Sequence, residues 1–412
     1  MEHYITEIQI QKLRHLSNVN IVISPEKRTN LLLTGKNGSG KTTVLNAIKK
    51  YLQAIDDENF FNIQIRYPKQ AKNAKLLMET VENDNESISL QKDYQLYMQL
   101  LEEYENGIRI TFNENAGLEK QFREGSFLTA FYSADRKIGI EKVYGARDVV
   151  LEECYSLESN PGKILLQYLV HLKTQQAYAR NEGDMETVQM LDQWFQRFAD
   201  ALKVLLDNES IQLQYDYKNY DFKIVEGRKT FGFDQLSDGY SAAIQIVADL
   251  ILRMERNWLK KGGLSSYDVE GIVLIDELET HLHISLQRKI LAFLTEFFPN
   301  IQFIVSTHSP YILNSIKDCV VYDLENQIRM EDMSGYSAEG IVEGYFGIDL
   351  YSEVLIQKVK RYEYLVDVVS PTDEERAERA RLLVELKQLS GDLSKEAKDA
   401  FNEIEQRRKV HD

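Results

Sequence analysis

Residues 35–43 read GKNGSGKTT. Three glycines, Gly35, Gly38 and Gly40, interrupt a short polar stretch that ends in Lys41, Thr42 and Thr43. Glycine permits a tight loop whose successive backbone N–H groups can surround phosphate oxygens. A lysine here reaches the β- and γ-phosphates, and the hydroxyl after it is an oxygen ligand for Mg²⁺. The spacing G-x-x-x-x-G-K-[ST] is complete. Gly35, Lys36, Asn37, Gly38, Ser39, Gly40, Lys41, Thr42 and Thr43 are therefore the candidate nucleotide-binding residues, and Thr42 is also a candidate metal ligand.

A second chemical element is GIVLIDE, residues 271–277, an apolar run ending in Asp276 and Glu277. Carboxylates at the carboxyl end of a buried strand stand where open α/β sheets bind their ligands. Asp276 is the candidate Mg²⁺ ligand, directly or through water. Glu277 is the candidate catalytic residue, orienting or deprotonating an attacking water. Together the two elements imply ATP and Mg²⁺, with hydrolysis to ADP and phosphate.

The elements that must position these groups are legible in the surrounding pattern. Ile5 to Ile10 and Val19 to Ile23 alternate apolar and polar residues, which predicts a half-buried, hairpin-like start. Asn30 to Thr34 is a buried strand entering the glycine loop. Val44, Leu45, Ile48, Leu52 and Ile55 leave it with helical spacing. Residues 57–125 are less orderly, with a polar loop over 81–86 and strands over 108–112 and 127–132. Residues 145–205 read as helical, and 211–217 and 221–225 as a strand pair. A strongly apolar helix follows Leu236 to Tyr240. A helix over 286–297 and a strand over 301–307 follow the GIVLIDE strand. Strand and helix alternate through both halves, so the expected class is α/β with a mainly parallel sheet. The tail from 334 differs. Ala377, Ala380, Leu383 and Leu386 keep helical spacing among many charges, and 394–408 repeats the design more weakly, which predicts a terminal helical hairpin.

Composition narrows the class. Among 412 residues, 49 Lys and Arg stand against 65 Asp and Glu, a formal net charge of −16. That argues against nonspecific nucleic-acid binding by the whole surface, though not against a local basic groove. Hydrophobic residues at 43% and charged residues at 28% exclude a disordered or collagen-like chain. Two cysteines, Cys154 and Cys319, exclude a disulfide framework and fit a reducing compartment. The start MEHYITEIQI has no basic region followed by an apolar run, so no signal peptide is expected, and no apolar run reaches the roughly 18 residues that span a bilayer. The expectation is a cytoplasmic protein without membrane contact.

Two further segments decide the ATPase class. LSDGY, residues 236–240, precedes a long helix and resembles the signature loop of ABC-type ATPases of the RecF and SMC branch. STHSP, residues 306–310, follows a buried strand and resembles the switch-histidine segment of the same class. The resemblance implies that Ser237, Asp238 and Gly239 contact the γ-phosphate held by the opposite subunit, in a head-to-tail nucleotide sandwich. It also implies that His308 hydrogen-bonds the γ-phosphate and the attacking water, as a second catalytic residue. Glu279 to His283 occupies the place of the loop that passes between subunits; a metal cluster is the other reading of its Glu, His and His. Arg14 resembles an early arginine that approaches phosphate or ribose, and a solvated loop arginine fits equally well. FYSADR, residues 131–136, occupies the place of a γ-phosphate sensor but lacks the glutamine of that segment.

Lys41 and Ser237 are 237 − 41 = 196 residues apart. That leaves room for a compact lobe of short strands and helices and none for a long coiled coil. LSDGYSAAIQIVADL, IVLIDELETHLHISLQRKIL and FPNIQFIVSTHSP together resemble stand-alone bacterial ATPases, among them the Septu anti-phage ATPases. The resemblance covers 1–60 and 230–350 and is loose over 60–230. It implies an ATPase head with an antiparallel lobe, a helical insertion and C-terminal helices. The implied division is 1–140 as the lobe with the phosphate loop and 141–230 as a helical and strand insertion. Residues 231–333 are the lobe with signature, acidic strand and switch histidine, and 334–412 the helical tail. It implies an ATP-driven switch, dimeric or a higher oligomer, that controls a separately encoded HNH nuclease of the PtuB kind, since this chain shows no nuclease motif of its own. A RecF-like DNA-repair ATPase with DNA as partner, and a nucleotide-gated regulator with little turnover, are the alternatives. The tail packs on the core, on a second copy or on the effector.

Overall fold

The alternation at the start of the chain builds an antiparallel pair. β1 (Ile5–Leu13) lies against β2 (Leu16–Val22) with Ile8 opposite Ile21 and Ile10 opposite Val19. All four side chains are buried, as period-2 patterning requires of one sheet face. The computed structural model describes residues 2–80, 84–136, 139–260, 269–344, 353–368 and 370–389. They form two compact units, Met1–Tyr336 and Ser337–Asp412.

In the first unit β3 (Asn30–Thr34) delivers the glycine loop, and α1 (Lys41–Asp56) follows it. Val44, Leu45, Ile48, Leu52 and Ile55 are all buried, so the helical spacing marks the packed face. Each contributes about 1.5–3 kcal/mol relative to exposure. Residues 62–105 correct the expectation of little order. They hold α2 (Tyr67–Met78) and α3 (Asp84–Glu105), which pack on each other. Of the polar loop expected over 81–86, residues 84–86 already belong to α3, and 81–83 lie outside the described residues. The buried face of α2 is only Ala71 and Ala74, while Leu76 and Leu77 are exposed. Large apolar residues therefore do not mark the packed side, which is made by alanines. β4 (Ile108–Phe112) joins β1 to complete a three-stranded antiparallel sheet.

α4 (Leu118–Arg123) and β5 (Phe127–Tyr132) come next. Helix was expected from residue 145, but 145–160 are irregular and α5 (Leu165–Glu182) begins later, followed by α6 (Met185–Leu205). Long-range contacts override local spacing here. Arg253 donates to the carbonyls of Tyr155, Ser156 and Ser159, and Arg256 to that of Leu151 at 2.7 Å. The expected strand pair becomes a three-stranded meander of β6 (Ile211–Asp216), β7 (Asp221–Glu226) and β8 (Lys229–Gly232). α7 (Asp238–Lys260) is anchored to α6 where Trp194 Nε1 donates to Glu255 at 3.1 Å.

β9 (Glu270–Ile275), α8 (Ile284–Phe297), β10 (Ile301–Ser306), α9 (Pro310–Leu313), β11 (Cys319–Asp323) and β12 (Ile328–Glu331) close the unit. The central sheet runs β12-β11-β3-β10-β9-β5. Every pair in it is parallel except β11 with β12. The interior strands are mostly apolar because both faces are covered. The class is thus α/β with a largely parallel sheet. Their carboxyl ends bring residues 34, 276 and 306 to one edge.

The second unit holds α10 (Ala338–Gly344), α11 (Glu353–Asp367) and α12 (Asp373–Leu389). The expected hairpin partner of 373–389 was 394–408, which lies outside the described residues. The observed partner is α11: Tyr362, Leu365 and Val366 are buried with Leu382 and Leu386, and Lys358–Glu385 and Arg361–Glu378 pair along the edges. Of the stripe the spacing marks, Leu383 and Leu386 pack in this cluster while Ala377 and Ala380 are exposed, and Leu382 completes the packed face of α12. Thr372 and Glu375 form reciprocal caps at the start of α12. Among the described residues no helix is long and apolar enough to cross a membrane.

Candidate functional site

The glycine loop takes the conformations its composition allows. Gly35, Gly38 and Gly40 have φ of 130°, 86° and 102°. A Cβ on Gly35 would stand 2.8 Å from Ser39 Oγ, so a side chain there would press into the loop itself. Lys41 turns back into the loop, its Nζ donating to the carbonyls of Gly35 at 2.8 Å and Lys36 at 3.1 Å. Burial lowers its pKa even against the opposing pull of Glu277, Glu279 and Asp276. A partly desolvated ammonium of this kind gains from a polyphosphate. Ser39 Oγ is buried without a partner, and no side chain caps the first turn of α1. The loop therefore holds unspent hydrogen-bonding capacity where an anion would sit. Lys36 and Asn37 are exposed, and Lys36 is tied to Glu325 at 2.8 Å. Thr43, half-buried, shares with Thr42 and Arg14 the wall of a cavity of about 830 Å³.

β3, β10 and β9 then bring the acidic pair to the loop. Thr42 Oγ1 donates to Asp276 Oδ1 at 3.2 Å, across 234 residues of sequence. Ser306 Oγ donates to the same oxygen, and Asp276 N donates to the Tyr132 carbonyl at 2.8 Å. A hydroxyl and a carboxylate are hard oxygen donors, the kind Mg²⁺ takes. Thr42 and Asp276 also line a cavity of about 470 Å³ together with Asn46, Ser133 and Asp135. Glu277 is half-buried with φ of 46°. Its N–H donates to Ser306 Oγ at 2.8 Å, and Thr280 Oγ1 donates to its Oε2 at 3.3 Å.

His308 follows β10, its N–H donating to Glu279 Oε1. Burial first, and the Lys41 charge second, hold its pKa below the ordinary histidine value, so the ring is neutral at pH 7. Lys41, Asp276, Glu277 and His308 thus share one end of the sheet.

Ser237, Asp238 and Gly239 are placed elsewhere. Ser237 and Asp238 are exposed at the start of α7, and a Cβ on Gly239 would meet the His281 carbonyl at 2.4 Å. The cavity of about 290 Å³ at these three residues is also lined by His281 and His283 and includes no residue of the glycine loop. Among the described residues, Glu279, His281 and His283 form no metal-holding group. His283 instead accepts the Ser285 N–H at the start of α8. Arg14 is exposed on the turn between β1 and β2 with φ of 54°.

Three residues were not picked out from the sequence. Ser306 joins Asp276 to Glu277, and its signal was its place directly before Thr307 and His308. His15 donates through Nε2 to the Ser39 carbonyl at 3.1 Å, bracing the glycine loop. Arg136, in the segment without the sensor glutamine, reaches the backbone of the acidic turn.

The family model described as "AAA domain, putative AbiEii toxin, Type IV TA system" matches residues 31–314. The chain belongs to this family. It resembles two relatives named "Septu protein PtuA". The one from Bacillus mycoides (strain KBAB4) is 26% identical over 96% of the chain and 51% of its own length. The one from Bacillus thuringiensis is 27% identical over 46% of the chain and 50% of its own length. The chain thus spans about half the length of these curated relatives. A third relative, "Retron Vc95 probable ATPase" of Vibrio cholerae serotype O1 biovar El Tor, is 24% identical over 83% of the chain and 80% of its own length.

Proposed function

We propose that the chain is the ATP-hydrolysing switch subunit of a bacterial anti-phage defence system. The observation that carries the hydrolytic part is the meeting of Thr42 and Asp276 at 3.2 Å beside the desolvated Lys41. In this reading the glycine loop binds the phosphates through backbone N–H groups, and Lys41 leaves its carbonyl partners to meet the terminal phosphates. Thr42 and Asp276 would hold Mg²⁺, which offsets phosphate charge. Glu277, fixed by Ser306 and Thr280, takes the proton of the attacking water, and neutral His308 donates to or accepts from the same water and phosphate.

The defence setting rests on the relatives' names, Septu and retron. The dimeric setting is supported by the placement of Ser237 and Gly239 beside His281 rather than beside the glycine loop. We assign residues 1–140 and 231–333 to the ATPase lobes, 141–230 to an insertion, and 334–412 to association with a second copy or an HNH nuclease. The test is phosphate release by the full chain, alone and with the HNH protein of a neighbouring reading frame. Mg²⁺-dependent turnover that changes nuclease output supports the reading. Tight nucleotide binding with no turnover in either setting sinks it.

A further inference from the structure

Arg136 makes all its described hydrogen bonds to backbone carbonyls. Nη1 donates to Ser133 at 3.2 Å and Asp276 at 3.0 Å. Nη2 donates to Glu277 at 3.2 Å, Leu278 at 3.2 Å and Thr280 at 3.4 Å. Four carbonyls of one turn, residues 276–280, therefore converge on a single guanidinium. Their dipoles would repel one another around an empty centre, so the turn needs a cation inside it. The planar fork formed by the two terminal nitrogens suits that geometry, and a point-like ammonium does not.

We propose that Arg136 is a positioning residue that holds the backbone turn carrying Glu277. The proposal rests on the reading of Glu277 as the water-activating carboxylate. Glu277 has φ of 46°, a conformation that a side chain as long as glutamate rarely adopts, so the turn must be held from outside. Ser306 holds its N–H side and Arg136 its carbonyl side. Thr280, which orients the Glu277 carboxylate, has its own carbonyl on Arg136 as well. The loop that supplies the guanidinium also lines the cavity at Thr42 and Asp276 through Ser133 and Asp135. Contact between nucleotide and this loop therefore reaches the Glu277 turn through one side chain.

The test uses the full chain carrying Arg136→Gly, with guanidinium ion added back at about 10–50 mM and urea, the neutral isostere, as control at matched ionic strength. The expected result is nucleotide binding within about 3-fold of wild type and kcat lowered about 30-fold or more, the split that marks loss of a transition-state arrangement. Guanidinium, and not urea, should raise kcat at least about 5-fold, a rescue that general destabilisation would not show. Amide hydrogen exchange over residues 276–282 should quicken in Arg136→Gly and slow again with guanidinium. Turnover within about 3-fold of wild type, or exchange unaltered over 276–282, overturns the proposal. If Arg136→Gly does not fold, Arg136→Lys replaces it. Its single ammonium should lower kcat about 10-fold, and wild-type kcat in that variant overturns the proposal equally. A wild-type chain without turnover sinks the hydrolytic reading instead, and the exchange arm then decides the turn by itself.

Discussion

Glu279 Oε1 accepts the backbone N–H of His308, so the acidic turn after β9 and the histidine after β10 are bound to each other. Glu279→Ala removes the acceptor of that bond. The expected outcome is kcat down about 10-fold with nucleotide affinity within about 3-fold, read by steady-state kinetics and a nucleotide titration. Equal losses in both would assign Glu279 to nucleotide binding.

The same histidine sets an acid limb. Burial, then the Lys41 charge, lowers its pKa, so the neutral ring persists below the ordinary histidine range. Its contribution to stability is complete above the unfolded value near 6.5 and is lost as pH falls through the lower folded value. Turnover should therefore be level from pH 8 to about 6.5 and decline only at lower pH. His308→Gln should lower the plateau and remove that limb. A rate that falls between pH 8 and 7 would contradict the neutral-ring role.

Hydrolysis and binding should separate by residue. Glu277→Gln keeps every backbone contact of the turn and removes the proton acceptor. It should retain nucleotide binding and lower turnover by about 10²-fold or more. Lys41→Ala removes the ammonium that points into the loop and should weaken nucleotide binding itself. Wild-type turnover in Glu277→Gln would move the role to another carboxylate.

How far the site was legible follows from where its residues lie. Asp276 and Glu277 end a strand buried on both faces, and such a strand is an unbroken apolar run that no surface element imitates. The glycine loop is legible because only glycine takes φ of 86° and 102° readily at Gly38 and Gly40. Arg136 was illegible because its partners are backbone carbonyls, which leave no trace in side-chain type. α2 was hidden because alanines make its packed face. Residues 145–160 do not follow their helical spacing because Arg253 and Arg256, on a distant helix, take up the carbonyls of Leu151, Tyr155, Ser156 and Ser159.

The placement of Ser237 and Gly239 makes a prediction about assembly. In a head-to-tail sandwich each site takes its glycine loop from one chain and its signature from the other. Lys41→Ala and Ser237→Arg should each lack activity, and their mixture should recover up to one working site per mixed dimer. Recovery is measured as phosphate release against mixing ratio. No recovery, with both variants dimeric by light scattering, would place the whole site within one chain.

The tail is better probed by a point change than by the truncation its sequence suggests. The apolar spacing within 373–389 invites truncation after Ser370, yet α11 buries Tyr362, Leu365 and Val366 against α12. Truncation there would leave those three side chains uncovered and give aggregation that says nothing of the tail's role. Leu386→Asp in the full chain is the better probe, because Leu386 is fully buried between the two helices. An unpaired carboxylate there costs several kcal/mol or protonates, enough to open so small a core. Tyr336 ends the first compact unit, so the glycine loop and its partners lie outside the affected hairpin. Nucleotide binding should therefore stay within about 3-fold of wild type, while assembly with the effector, or into the higher oligomer, is lost. Light scattering and a pull-down with the neighbouring gene product read the second outcome. Assembly unchanged in Leu386→Asp, with the hairpin shown to be open by hydrogen exchange, would remove the tail from any role in association.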